Sequence, residues 1–103
     1  MYVVNIENIP GKNYEALGLV TGCCIMCKNV GKDIGASFRN LVGGEMKAYV
    51  QLMEESKDTA INHMIEQAQR MGADAIVNVR FSSTTIVAGG AEILVSGTAV
   101  KFI

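Results

Sequence analysis

The chain has 103 residues, half of them apolar, and its ten acidic and nine basic side chains leave a formal charge of minus one. That is enough for one domain with a core of its own, and a balance so even offers no long-range field to attract DNA, RNA or an anionic membrane. Basic clusters are lacking, no apolar run approaches the ~20 residues of a membrane-spanning helix, and no charged and apolar leader opens the chain. The expectation is a cytoplasmic, single-domain protein over residues 1–103 without nucleic-acid or membrane partners.

Met1 to Ile6 carries Tyr2, Val3, Val4 and Ile6, a short β-type run, and Ile9-Pro10-Gly11-Lys12 has the order of a type II turn. Glu15 to Met26 mixes Leu17, Leu19, Val20 and Ile25 with Gly18 and Gly22. Glycines inside a strand mark a bulge or the close approach of another backbone, so a bent second strand is expected. Between Asn29 and Gly44 the apolar residues Ile34, Phe38, Leu41 and Val42 are spaced for a short helix between loops.

Glu45 to Met71 is the dominant feature, one long amphipathic helix. Met46, Tyr49, Val50, Met53, Ala60, Met64, Ala68 and Met71 fall on one side, with Gln51, Glu55, Asp58, Asn62, Glu66 and Gln69 opposite. Gly43 or Gly44 provides its entry, and Gly72 can take the left-handed conformation that ends a helix. At 1.5 Å per residue it spans about 40 Å, the breadth of a compact domain of this size, so it must cross the whole subunit.

Ala75 to Val87 and Glu92 to Ile103 are rich in Val, Ile, Thr and Phe and flank Ala88-Gly89-Gly90-Ala91, a hairpin signal. With Gly89 and Gly90 as the turn, counting places Val77, Val79 and Phe81 against Phe102, Val100 and Thr98 as a floor for the helix. The other face then holds Asn78, Arg80 and Lys101 at its base but Ile86, Ile93 and Val95 near its tip; a bulge at Gly97 would shift this count by one residue. Leu52 and Ile65 likewise widen the helix's apolar arc. Apolar surface left over on two elements predicts burial between copies of the chain.

At Phe38-Arg39-Asn40, Gly43-Gly44-Glu45, Tyr49, Gly72-Ala73-Asp74-Ala75, Val79-Arg80-Phe81, Ala91-Glu92-Ile93 and Gly97-Thr98-Ala99-Val100, the chain resembles the small bacterial YbjQ-like family, from about Gly18 to the C-terminus. The resemblance implies a dodecin-like α+β subunit, an antiparallel sheet against one long helix, assembled as a homopentameric ring. It also carries a heavy-metal-binding label for a family without an established activity.

Cys23, Cys24 and Cys27 include one Cys-x-x-Cys, a spacing at which thiolates grip Zn²⁺ or a softer heavy metal, and Met26 could add a thioether. A zinc site of this kind needs a second ligand pair, and the single histidine, His63, has no evident route to the cysteines; three apolar-flanked thiols in a reducing compartment are more often packing residues. A redox pair would want a helix N-terminus directly behind it, where Lys28-Asn29-Val30-Gly31 stands instead.

For acid–base chemistry the candidates are His63, Glu45, Asp74, Arg80 and Glu92, against structural alternatives: a turn role for Asp74 and a salt bridge from Arg80 to Glu92, Glu45 or Asp74. Arg39, near the Gly43-Gly44 amides, is the anion candidate, opposed by Glu45. No catalytic motif is present. The residues read best as a non-enzymatic homo-oligomer, a binding or scaffold module whose weak site candidates are Arg39, Glu45, Asp74, Arg80 and Glu92. A metal-binding protein using Cys23, Cys24 and Cys27 is the alternative, and an enzyme with carboxylates at subunit interfaces the least favoured reading.

Overall fold

A computed structural model describes residues 1–27, 44–85 and 90–103, the side chains of 26, 27, 44–49, 84, 85, 90 and 91 excepted. The expected short helix at 34–42, with Arg39, and Ile86 lie outside the described residues, as do the side chains of Glu45 and Cys27. Four strands, β1 (Tyr2–Val3), β2 (Tyr14–Cys27), β3 (Ala75–Thr85) and β4 (Gly90–Phe102), form one sheet in the order β1-β3-β4-β2, with a single helix α1 (Gly44–Arg70) against it. The three long strands pair antiparallel, as expected, while short β1 runs parallel to β3, which makes the sheet mixed.

Helix α1 fulfils its pattern in the C-terminal half. Ala60, Met64 and Ala68 are fully buried, and Met53 and Ile65 pack against the same core. Val50 and Met71, assigned to the stripe, are exposed. Ser56 is the buried polar residue of this stripe, and its hydroxyl donates to the Leu52 carbonyl at 2.8 Å. The helix ends in a Schellman arrangement around Gly72, whose φ is 80°: Ala73 N–H reaches Ala68 O and Gly72 N–H reaches Gln69 O, both at 3.0 Å.

Both strand glycines of β2 do what glycine permits there. A bulge shifts the register between Ala16 and Gly18, bending the strand. At Gly22 the backbone of α1 comes so close that an added Cβ would fall onto the Ala60 carbonyl oxygen. Helix and edge strand therefore touch backbone to backbone.

The β3–β4 register differs from the count. Gly90 is the first residue of β4, paired with Cys27, and Val77 stands opposite Thr98 rather than Phe102. A bulge between Val77 and Arg80 sets Asn78 and Val79 against Gly97, and the extra residue flips the alternation. Val77 consequently joins Ala75 and Val100 on the face away from the helix, under Val4, Ile9, Tyr14 and Phe102 of the chain's two ends. Ile93 and Val95, expected to be wet in a lone subunit, are buried in the core beneath α1.

The bulge is held by Asn78 at φ 56°, and its side-chain oxygen is buried without a partner among the described residues. Asparagine tolerates this conformation and a β-branched residue does not. Asn78→Val is therefore expected to lose about 1–2 kcal/mol in urea unfolding while Asn78→Gly loses none; equal losses would refute this role.

The N-terminal segment crosses the base of the bare face. Its Pro10-Gly11 turn closes with Lys12 N–H on Ile9 O at 3.2 Å, with Gly11 at φ 76°. Tyr2 and Tyr14 flank Phe102, Lys12 sits over the same ring, and the Tyr14 hydroxyl donates to Glu7 O. The molecule measures 52 × 23 × 15 Å with a radius of gyration of 16.8 Å, against about 13 Å for a compact chain of this length. It is a thin, long two-layer slab.

Candidate functional site

Successive residues of a strand point to opposite faces, and this rule disperses the cysteine cluster. Cys24 lies on the helix side, half-buried against the core, whereas Cys23 is exposed on the bare face beside Glu92, with Sγ 3.9 Å from Oε1. Cys27 is the last residue of β2, and its side chain lies outside the described residues. Among the described residues no three His, Cys, Asp or Glu side chains could close on an ion.

Partial desolvation first, and then the Glu92 carboxylate with its hydrogen bond, push the Cys23 thiol above its ordinary pKa, with a smaller push from Cys24. A raised pKa means less thiolate at neutral pH, hence slow chemistry for an exposed cysteine. Alkylation of Cys23 followed by peptide mapping is expected to be slow at pH 7 and to quicken as pH rises; Glu92→Gln should speed it at pH 7. A slower variant would contradict this cause.

His63 does find a route to the cysteines, although to backbone: its Nδ1 lies 3.3 Å from the Cys23 carbonyl, a contact that requires the proton on Nδ1. One turn further along α1, Gln67 Oε1 accepts from Thr21 N–H at 2.8 Å.

Among the described side chains the charged candidates do not converge. Asp74 bonds backbone, but on another strand rather than in its own turn: its Oδ2 accepts from Phe102 N–H at 2.9 Å. Glu92 lies ten strand positions from Phe102, roughly 33 Å along β4. Among the described residues Arg80 meets backbone rather than Glu92 or Asp74: Nη1 donates to Asn5 O at 3.1 Å and to Val79 O at 3.0 Å. Glu45 is the second residue of α1.

What the arrangement does present is apolar surface. On the face away from α1, Leu19 is 70% and Ile25 60% exposed, and Leu94 is exposed beside Cys23 on the neighbouring strand. On the helix side, α1 lies over β2 and β4 and leaves β3 partly open. There Phe81 is 52% exposed, at the wall of a cleft of ≈ 280 Å³ shared with Met53, Lys57, Ser83 and Ile93. Leu19 and Ile25 were legible as β2 residues, but only a count running from Val20 inward to Cys24 assigns their face. Phe81 was expected on the helix side, where it lies, but as a covered floor residue rather than an exposed one.

A sheet of three long antiparallel strands and one short parallel strand, backed by one long helix, defines the class: a small two-layer α+β subunit. Within it the chain belongs to the YbjQ-like family described as "Putative heavy-metal-binding", whose model matches residues 1–103, the N-terminal segment included. It is 47% identical over 103 residues to a UPF0145 protein of Clostridium novyi, covering all of both chains. A UPF0145 protein of Thermosipho africanus is 50% identical over 102 residues, 98% of this chain and 94% of the relative. Among solved structures, a DUF74-family protein of unknown function from Pediococcus pentosaceus superimposes with a TM-score of 0.67 at 14% identity, over 100% of this chain and 98% of that one, a likeness of fold. No helix of the described residues is long and apolar enough to cross a membrane.

Proposed function

We propose that the protein is a non-enzymatic homo-oligomeric module, a binding or scaffold subunit whose copies cover one another's bare sheet faces; the ring of five implied by the family resemblance is the expected form. The observation that carries this reading is the outer face itself. Leu94 stands opposite Cys23 beside Ile25, and Leu19 lies six positions from Ile25 along β2, all three exposed with no second layer over them among the described residues, on a slab whose radius of gyration exceeds that of a compact chain. Large apolar side chains exposed on one sheet face suit an interaction site, and a second copy is the partner always present at the protein's own concentration. Dispersed charges and the absence, among the described residues, of a three-donor group support binding or scaffolding over catalysis and over metal capture within one chain.

Ile93 is no test of this idea, because it is buried beneath α1 in the single chain. Leu19→Lys with Ile25→Lys is the informative pair, since both side chains already reach solvent. Sedimentation equilibrium should give a multiple of 11.0 kDa for the wild type and 11.0 kDa for the pair. A wild-type protein of 11.0 kDa at high concentration would end the proposal.

A further inference from the structure

The first residues of the chain are tied to β3 around its bulge. Val4 N–H reaches Ile76 O at 2.9 Å, Asn78 N–H reaches Ile6 O at 2.9 Å and Val79 N–H reaches Val4 O at 3.1 Å. Arg80 adds a bond from Nη1 to Asn5 O at 3.1 Å. In a regular strand successive amides point to opposite edges, so Asn78 and Val79 can both face the N-terminal segment only because the bulge turns one of them round. Bulge and segment are therefore two halves of one latch.

This latch is strained on one side and short on the other. Asn78 holds a left-handed φ of 56°, and its buried oxygen has no partner among the described residues, two costs that favour letting go. β1 is a strand of 2 residues in parallel pairing, the weaker kind, whereas β3 and β4 have 11 and 13 residues and pair antiparallel. Behind the segment the chain is anchored again, with Ile103 N–H on Asn13 O at 2.9 Å and Tyr14 paired with Phe102. The Pro10-Gly11 turn lies between latch and anchor, and the Tyr14 hydroxyl, bonded to Glu7 O, steadies the closed position. We propose that Met1 to Ile9 is a strap that swings as one unit about the Pro10-Gly11 turn while the sheet and α1 stay folded, with the bulge at Asn78 to Arg80 as its latch.

The strap closes both layers of the slab. Val3 packs against the core beneath α1, whereas Val4 and Ile9 pack against Ala75, Val77 and Val100 on the other face. On the helix side it walls a cleft of ≈ 440 Å³ whose other lining side chains are Ile61 of α1, Val79 and Phe81. Opening exposes apolar side chains on both faces at once, so the strap controls when this end of the molecule is adhesive. This device does not depend on the oligomeric reading, because every contact it uses lies within one chain.

Deuterium exchange of the native protein tests it. The amides of Val4, Asn78 and Val79 should share one protection factor, at least about tenfold below those of Ala60 and Met64 in α1, because one opening frees all three. Arg80→Met keeps the apolar stem and removes the donors. It should lower the three protection factors together by about tenfold and leave Ala60 and Met64 unchanged. Three unrelated values would mean fraying residue by residue, and values equal to those of α1 would mean release only on global unfolding; either result overturns the strap. An Arg80→Met protein whose strap amides are unchanged, or weakened together with the helix, overturns the place of Arg80 in the latch.

Discussion

Gly22→Ala is expected to cost about 3 kcal/mol or more in a urea titration, the upper end for overpacking. The added methyl would land on the Ala60 carbonyl oxygen and lie 2.9 Å from both Ala60 C and Met64 N. These are backbone atoms of a regular helix and cannot rotate away, so α1 as a whole must lift from β2. Lifting it also strains the hydrogen bonds from Gln67 and His63 to the strand edge. Gly72→Ala provides the contrast: nothing lies within 4 Å of its would-be Cβ, and only its positive φ resists, which costs about 1 kcal/mol. If the two variants were equally stable, the close approach of helix and strand would not be a determinant of the fold.

Met64→Ala should be the most damaging truncation, at about 2–5 kcal/mol. Met64 heads the fully buried side chains by volume and sits in the core with Val20, Ile76 and Val95. Its removal opens a cavity between layers that cannot close, because the Gly22 contact already sets their separation on one side. Met64→Leu, which nearly conserves volume, should lose less than about 1.5 kcal/mol. A Met64→Ala protein that melts with the wild type would show a core far softer than this packing implies.

The helix, its stop at Gly72, the Pro10-Gly11 turn and the glycine-bent second strand were all legible, because each rests on local chemistry: a 3.6-residue period, a left-handed glycine, a fixed proline φ. The register of β3 on β4 was not. It depends on Asn78 taking a left-handed conformation opposite Gly97, and nothing in the local sequence forces that choice on asparagine. One inserted residue then changed the face of β4, so Ile93 and Val95 went into the core, while Phe81 stayed on the helix side as expected but beyond the cover of α1, beside the cleft. The apolar surface expected at Ile93 and Val95 is buried, and the exposed apolar side chains of the sheet's outer face are Leu19, Ile25 and Leu94 instead. Among the site candidates, Asp74 was expected to bond amides of its own turn, but its side chain accepts from the Phe102 amide 28 residues away, a partner that only the sheet supplies. The role of Arg80 was no more readable, since its carbonyl partner at Asn5 lies 75 residues away in the chain.

Strand order has one more consequence. The strand at the middle of the sheet, β4, is the last of the described elements in sequence, and both β2 and β3 pair with it along most of their length. On the ribosome, therefore, β2, α1 and β3 emerge with no template to zip onto, and β2 must wait for residues as distant as Phe102. Pairing across so long a loop is slow, and until it happens Val20 and Met64 are open to solvent and to other nascent chains. Synthesis of this small protein leaves an interval in which a chaperone is of use, and that interval closes only when the final strand is released.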